Sequence, residues 1–148
     1  MSKKSKSVVS VLVCVAVSVF IGWIIYLANT GGSSVFFDLV RMLPAGDKLG
    51  HFLLFGTLTW LFCRVSDCKG WTLKWVLNRR LNWSKKRLQK VTLPYASVMI
   101  SVFVLLEEIS QNFVPSRTFD GYDLLFDGLG IVAFTVLALR SQNAASSK

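Results

Sequence analysis

Residues 106–130 read LEEISQNFVPSRTFDGYDLLFDGLG, and they place six charged side chains and Gln111 between two strongly apolar runs. Ionisable groups at the edge of a hydrocarbon layer are costly, so they usually pair with one another and often mark a site. These seven side chains are Glu107, Glu108, Gln111, Arg117, Asp120, Asp123 and Asp127. Spacings of three and four residues give the first three one shared face, and the last three another, if both segments are helical. The stretch predicts two acidic helix faces that meet across a short turn.

The composition predicts an all-α integral membrane protein rather than a soluble domain. The chain has 148 residues, of which 53% are apolar, and its mean hydropathy is +0.51. That apolar content lies above the globular norm, and the length fits one domain. The formal charge of +9 is unevenly distributed, since nine basic residues fall within residues 64–90. Membrane topology explains this distribution with fewer assumptions than binding to nucleic acid.

Four apolar runs predict four transmembrane helices within a single domain spanning residues 1–148. The predicted spans are residues 8–28, 49–65, 93–109 and 124–139. The first run can cross a hydrocarbon core of roughly 30 Å as a helix, and it exceeds the apolar region of a typical signal peptide. We therefore expect it to be retained. The second is short and needs modest bilayer thinning, or Lys48 and Arg64 reaching outward.

Three connecting segments carry further expectations. Residues 35–43 predict a short interfacial helix, and the polar residues 141–148 predict a disordered tail. The basic segment 64–90 also contains Trp71, Trp75 and Trp83, a composition typical of chain lying on an anionic membrane surface. Because its apolar residues form no single helical stripe, a solvated cytoplasmic loop is the favoured interpretation.

The basic residues predict the orientation of the spans. If both termini and the 64–90 loop are cytoplasmic, that side holds fourteen Lys and Arg residues and the opposite side holds three. This bias is typical of an inner (plasma) membrane protein with several spans. It places Asp47, Lys48 and His51 on the same extracytoplasmic face as the polar part of residues 106–130.

Three motifs in this order resemble the VanZ-like membrane proteins. They are DKLGHF at residues 47–52, E-x-x-Q at Glu108 and Gln111, and RTFDGYD at residues 117–123, followed by an apolar stretch with Gly130. The chain has Asp127 where that family often has Asn, and Phe55 where it often has Tyr. The resemblance implies a membrane fold and location. Because the family's namesake is associated with teicoplanin resistance, the resemblance also implies an effect on glycopeptide or envelope-stress sensitivity.

The residue types indicate what such a face can bind. Arg117 offers a bidentate fork for phosphate or carboxylate, and Lys48 offers a point charge. His51 beside Asp47, Glu108, Asp123 or Asp127 could serve as an acid or base, or ligate a divalent metal. A metal is the less favoured interpretation, because one His and scattered carboxylates are not a compact ligand motif. The alternatives are structural: Arg117 as a clamp between Asp120 and Glu108, and His51 as a packing residue.

The function that these residues favour is binding of an anionic lipid or lipid-linked cell-envelope precursor. The predicted ligand-binding residues are Asp47, Lys48, His51, Glu108, Gln111, Arg117, Asp120, Asp123 and Asp127. An enzyme acting on a phosphorylated or lipid-linked substrate is an alternative, with His51, Glu108 and Asp123 as catalytic candidates. A structural membrane protein without a ligand is another. No cofactor, metal or nucleic-acid partner is expected, and no phosphate loop or serine-hydrolase elbow is present in the sequence.

Reporter fusions test the predicted topology. Because fourteen basic residues lie on one side and three on the other, a reporter active only outside the cytoplasm is expected to work at Thr30 or Ser116. The same reporter is expected to fail at Asn78 and at the C-terminus. Activity at Asn78 would show that the orientation is the reverse of the predicted one, with the polar face toward the cell interior.

Overall fold

The described part of the chain is mostly α-helical, as its apolar runs predict. A computed structural model describes residues 3–32, 34–72, 92–115 and 117–146. The elements in chain order are α1 (Lys3–Asn29), α2 (Val35–Arg41), α3 (Gly46–Val65), β1 (Gly70–Thr72), β2 (Thr92–Pro94), α4 (Tyr95–Gln111) and α5 (Gly121–Ser146). The two strands pair antiparallel, with Trp71 opposite Leu93. This small sheet joins the end of α3 to the start of α4.

Within the part of the chain that the structure describes, two helices are long and apolar enough to cross a membrane, by length and composition. They comprise Val8–Asn29 of α1 and Gly121–Ala144 of α5. Many of their apolar side chains face outward, including Leu12 at 62% exposed and Val132 at 63% exposed. Large exposed apolar surfaces on a soluble monomer are rare and mark a partner or a membrane. These helices therefore agree with a membrane environment.

Helix α3 lies at the centre and packs on α1, α2, α4 and α5. It runs parallel to α5, since Gly130 of α5 lies against the backbone carbonyl of Phe52, and Gly56 of α3 lies against the ring of Phe134 one turn further along. A Cβ at position 130 would collide with that carbonyl. Small residues at such positions let helix backbones approach closely.

All four long helices contribute to one apolar core. Its buried members are Ile21, Phe55, Leu58, Ile100, Val104 and Ile131. Further from the polar end, the Ser97 hydroxyl lies 2.7 Å from that of Thr135 and joins α4 to α5. The core thus holds the four helices in one bundle, with α4 antiparallel to α3 and α5.

Three predicted helix boundaries need correction. Residues 93 and 94, predicted to open the third span, belong to β2 because Pro94 has extended backbone angles and the residue before a proline disfavours helix. Helix α3 begins three residues before the predicted span, at Gly46, so Asp47 and Lys48 lie within its first turn. Helix α5 also begins early, which brings Asp123 into its first turn.

The prediction of a disordered tail at residues 141–148 is wrong as far as Ser146, where α5 ends. The Ser141 hydroxyl donates to the carbonyl of Ala138 at 2.8 Å, and alanine and glutamine are good helix formers that continue the helix. Strands β1 and β2 were not predicted, because three-residue strands carry little periodicity. Most of the basic segment, residues 73–91, lies outside the described residues, so its two interpretations stay predictions.

Two glycines of α5 provide a matched test of this packing. Gly130→Ala is expected to destabilise the fold by about 1–3 kcal/mol, because the added Cβ overlaps the Phe52 carbonyl. A Cβ added at Gly128 would meet nothing within 4 Å, so Gly128→Ala is expected to be neutral or slightly stabilising. Thermal unfolding of both variants in detergent measures the difference, and equal melting temperatures would contradict the parallel α3–α5 contact.

Candidate functional site

The polar residues meet at the end of the bundle where α3 and α5 begin and α4 ends. Lys48 is at the centre of this cluster. Its Nζ lies 2.5 Å from Asp123 Oδ1, 2.7 Å from Asp120 Oδ2 and 3.5 Å from Asp47 Oδ2. An ammonium group has three N–H donors, so these three carboxylates use its full capacity. Lys48 therefore ties the first turn of α3 to the first turn of α5.

His51 lies about one turn further along α3 and is held between two aspartates of α5. Its Nδ1 is 3.0 Å from Asp127 Oδ1, whereas its Nε2 is 3.6 Å from Asp123 Oδ2. Asp127 is only 1% exposed. Because an ionised carboxylate only accepts hydrogen bonds, Nδ1 is assigned as the protonated nitrogen, and it donates to Asp127. Asp127 thus orients the imidazole and leaves Nε2 on the side of Asp123.

Glu108 is fully buried and joins α4 to the turn that precedes α5. Its Oε1 accepts a hydrogen bond from the backbone N–H of Asp120 at 2.7 Å, and its Oε2 accepts one from Gln111 Nε2 at 2.8 Å. Both carboxylate oxygens are therefore satisfied within the protein. This is the arrangement that a buried carboxylate requires, because an unpaired one is very costly.

Gln111 connects Glu107 to Arg117. Its Nε2 also donates to Glu107 Oε2 at 3.0 Å, and its Oε1 accepts a hydrogen bond from Arg117 Nε at 3.3 Å. Among the residues that the structure describes, no carboxylate lies within ion-pair distance of Arg117. The interpretation of Arg117 as a clamp between Asp120 and Glu108 is therefore wrong. Asp120 instead pairs with Lys48, and Glu108 accepts a hydrogen bond from the backbone N–H of Asp120.

A cavity of about 800 Å³ lies beside this cluster. Its polar wall consists of Asp47, His51, Glu107, Gln111, Arg117, Thr118, Asp120 and Asp123. Its apolar wall comes from α1, α2 and α3 and includes Ile21, Ile24, Ile25, Phe37, Val40, Leu43, Leu54 and Phe55. The volume falls within the range of small-molecule sites, roughly 300–1,000 Å³. One side of the cavity is thus charged and the other is apolar.

The predicted ligand-binding residues divide into two groups. Those that line the cavity are Asp47, His51, Gln111, Arg117, Asp120 and Asp123. Lys48, Glu108 and Asp127 belong to the same network but do not line the cavity, and their contacts hold its polar wall from behind. Sequence reasoning left out Glu107 as a ligand-binding residue. Its four-residue spacing from Gln111 predicts that both share one helix face, but spacing alone does not show that this face borders a cavity.

Three of these residues could hold a metal ion. One donor atom each from Asp47, His51 and Asp123 lie within 4.8 Å of one another. Imidazole and carboxylate ligands suit several divalent cations. In the structure the Lys48 ammonium already pairs with both aspartates, so a metal would compete with a protein cation for them. These three residues come together only through the packing of α3 on α5, so no linear sequence motif predicts the group.

The ion pairs of Lys48 shift the pKa values of the groups at the helix starts. Hydrogen bonds to Asp120 and then to Asp123 raise the pKa of Lys48 above its usual range. The hydrogen bond from Lys48 lowers the pKa of Asp120. Both groups are therefore charged at neutral pH. The cluster as a whole contains six carboxylates, at positions 47, 107, 108, 120, 123 and 127, against the fixed cations Lys48 and Arg117.

No protein-family model, curated protein or solved structure matches this chain.

The Lys48 ion pairs predict a defined pH window of stability. Lys48→Gln is expected to lower the melting temperature at pH 7, whereas Lys69→Gln, at an exposed position near the sheet, is expected to leave it unchanged. The stabilisation is complete above the ordinary aspartate pKa of about 3.9 and is lost as pH falls through the lowered pKa of Asp120. It is also complete below the ordinary lysine pKa of about 10.4 and is lost as pH rises through the raised pKa of Lys48.

Thermal unfolding of wild type and both variants from pH 3 to pH 10 measures this window. The gap between wild type and Lys48→Gln is expected to be constant from about pH 5 to pH 9 and to narrow in acid. A gap that is unchanged at pH 3, or a similar loss in Lys69→Gln, would contradict the role given to Lys48.

Proposed function

We propose that this chain is a four-span inner-membrane protein of the VanZ-like type that binds an amphiphile carrying an anionic group. In this proposal α1, α3, α4 and α5 span the bilayer, both termini are cytoplasmic, and the cavity opens on the extracytoplasmic side. The ligand is a membrane lipid or a lipid-linked cell-envelope precursor. Its anionic group lies at the polar wall and its apolar part lies along α1, α2 and α3.

The helix directions support the proposed topology. The end of α1 and the start of α3 both line the cavity, as do the end of α4 and the start of α5. Successive long helices therefore run in opposite directions. Strands β1 and β2 lie at the other end, where α3 ends and α4 begins. The strands that flank the strongly basic segment therefore lie at the same end of the bundle as the start of α1 and the end of α5, the arrangement that the positive-inside rule favours.

The two-sided cavity is the observation that carries the binding proposal. A ligand with one anionic and one apolar part can satisfy both walls, whereas a small polar metabolite would leave the apolar wall in contact with water. Arg117 supplies the anion contact. Only its Nε is used by Gln111, so the rest of its planar fork can bind phosphate or carboxylate in the bidentate manner typical of arginine.

The VanZ-like assignment is supported by where the three motifs lie. DKLGHF is on α3, E-x-x-Q is on α4, and RTFDGYD leads into α5, yet all three contribute residues to one cavity wall. Sequence motifs that are distant along the chain and adjacent in space are typical of a functional site. The proposal therefore includes the effect on glycopeptide or envelope-stress sensitivity that the resemblance implies.

An enzyme acting on a phosphorylated or lipid-linked substrate is the second candidate, and His51 favours it. A buried aspartate holds one imidazole nitrogen at 3.0 Å, and the residue lines the cavity near Asp123. An oriented imidazole beside a substrate pocket is a common arrangement for general acid or base catalysis. Conversion of the bound molecule to a product would distinguish an enzyme from a binding protein. Glu108 is less suited to catalysis, because both its oxygens are engaged.

Two arginine variants test the binding proposal. Arg117→Gln is expected to reduce retention of an anionic phospholipid about tenfold, the effect of losing roughly 1.4 kcal/mol of binding free energy. Its melting temperature is expected to stay near that of wild type, because Arg117 forms no ion pair with any residue that the structure describes. Arg64→Gln is the matched control, since Arg64 lies at the opposite end over the ring of Trp60.

Native mass spectrometry of the purified protein, titrated with phosphatidylglycerol, measures this retention. Equal retention by Arg117→Gln and wild type, together with a large fall in melting temperature, would indicate a structural arginine and refute the binding role. Loss of lipid from Arg64→Gln to the same extent would show that the lipid binds elsewhere.

A further inference from the structure

One carboxylate oxygen in the cavity wall lacks a hydrogen-bond donor. Glu107 Oε1 is buried, and it accepts no hydrogen bond from any residue that the structure describes. The other oxygen of Glu107 accepts from Gln111 at 3.0 Å, which fixes the direction of the side chain. Leaving a buried acceptor without a partner costs free energy, more so for a charged group. An unsatisfied acceptor in a cavity wall favours a ligand that carries a hydrogen-bond donor.

Neither Lys48 nor Arg117 supplies the hydrogen-bond donor that Glu107 Oε1 lacks. All three N–H donors of the Lys48 ammonium are matched by Asp47, Asp120 and Asp123. Arg117 is tied through Nε to the opposite end of the same Gln111 amide that binds Glu107. Gln111 therefore holds Glu107 Oε1, an acceptor with no donor among the described residues, and the cationic fork of Arg117 on the same wall. The acceptor requires a donor and the fork requires an anion.

The charge of the wall also selects against a ligand that is only anionic. Four carboxylates, at positions 47, 107, 120 and 123, line the wall together with Arg117, and Lys48 lies behind them, so a head group that is only anionic meets a repulsive field despite Arg117. A head group that carries its own positive charge avoids this repulsion. Specificity of this kind comes from the unfavourable contact as much as from the favourable one.

We propose that the cavity recognises a head group that joins a phosphate to a primary ammonium group. The phosphate binds the Arg117 fork, and the ammonium donates to Glu107 Oε1. This inference rests on the proposed function and narrows its ligand class. A quaternary ammonium has no N–H to donate, and a glycerol head group has no positive charge, so both are discriminated against. The ligand chemistry is shared by ethanolamine phospholipids and by lipid-linked precursors that carry a primary amine.

Lipid competition tests the proposal on the full chain. Purified protein is exposed to equimolar phosphatidylethanolamine, phosphatidylglycerol and phosphatidylcholine with identical acyl chains, and the retained lipids are measured by native mass spectrometry. Wild type is expected to retain phosphatidylethanolamine about tenfold over each of the others. Glu107→Gln is expected to lose this preference, because the amide removes the negative charge. Asp67→Asn is the control, since Asp67 is exposed beyond the far end of α3 and its positive φ of 51° suits Asn.

A second measurement needs no variant and separates the sources of the chemistry. Soluble phosphoethanolamine is expected to displace bound lipid from wild type at lower concentration than glycerol phosphate does. Displacement would show that the head group alone is recognised. If phosphoethanolamine has no advantage over glycerol phosphate, the proposal is overturned.

The outcomes separate this inference from the function on which it rests. Equal retention of the three lipids by wild type, with loss on Arg117→Gln, would overturn the ammonium contact and leave anion binding intact. A preference for phosphatidylethanolamine that persists in Glu107→Gln would also overturn it. Failure of wild type to retain any of the lipids would instead sink the proposed function.

Discussion

The ion pairs of Lys48 are the contacts on which the arrangement of this molecule depends. Six carboxylates at one end of an apolar bundle would repel one another, and the three buried ones, Glu108, Asp123 and Asp127, also lose hydration. A single ammonium group between three of them offsets part of that repulsion and joins the starts of α3 and α5. The close approach at Gly130 is compatible with this geometry, because it lets the two parallel helices lie near enough for Lys48 to reach Asp120 and Asp123.

The remaining polar residues take two different roles around this contact. Glu108 and Asp127 are buried and hydrogen-bond within the protein. Glu108 bonds to the Asp120 backbone, and Asp127 bonds to His51. They position the residues in front of them. Glu107 and Arg117 both hydrogen-bond to the Gln111 side chain, and both line the cavity. The division follows from burial, since a fully buried group is stable only when its partners are supplied by the fold.

The cavity combines these polar groups with an apolar wall that the helix packing creates. Helix α1 contributes isoleucines near its C-terminal end, and α2 contributes Phe37 and Val40. The two walls therefore differ in polarity, which is the basis of the proposal that the ligand is an amphiphile. His51 adds a group that can carry a proton at the polar end. The cavity therefore combines charged side chains, an apolar wall and one imidazole.

The sequence by itself determined that the chain is helical and apolar, and which polar residues are exceptional within it. Period and composition carry that information, because a long apolar run is read from consecutive residues. It also placed Glu108 and Gln111 on one helix face, since their three-residue spacing is local. The partners of these residues depended on the tertiary structure. Lys48 and Asp123 are 75 residues apart, and only the parallel packing of α3 on α5 makes them neighbours. The same packing decided that Arg117 contacts Gln111 rather than a carboxylate, and that Glu107 faces the cavity while Glu108 does not. Adjacent residues on a helix point about 100° apart, so which of two neighbouring glutamates is buried is settled by where the other helices lie.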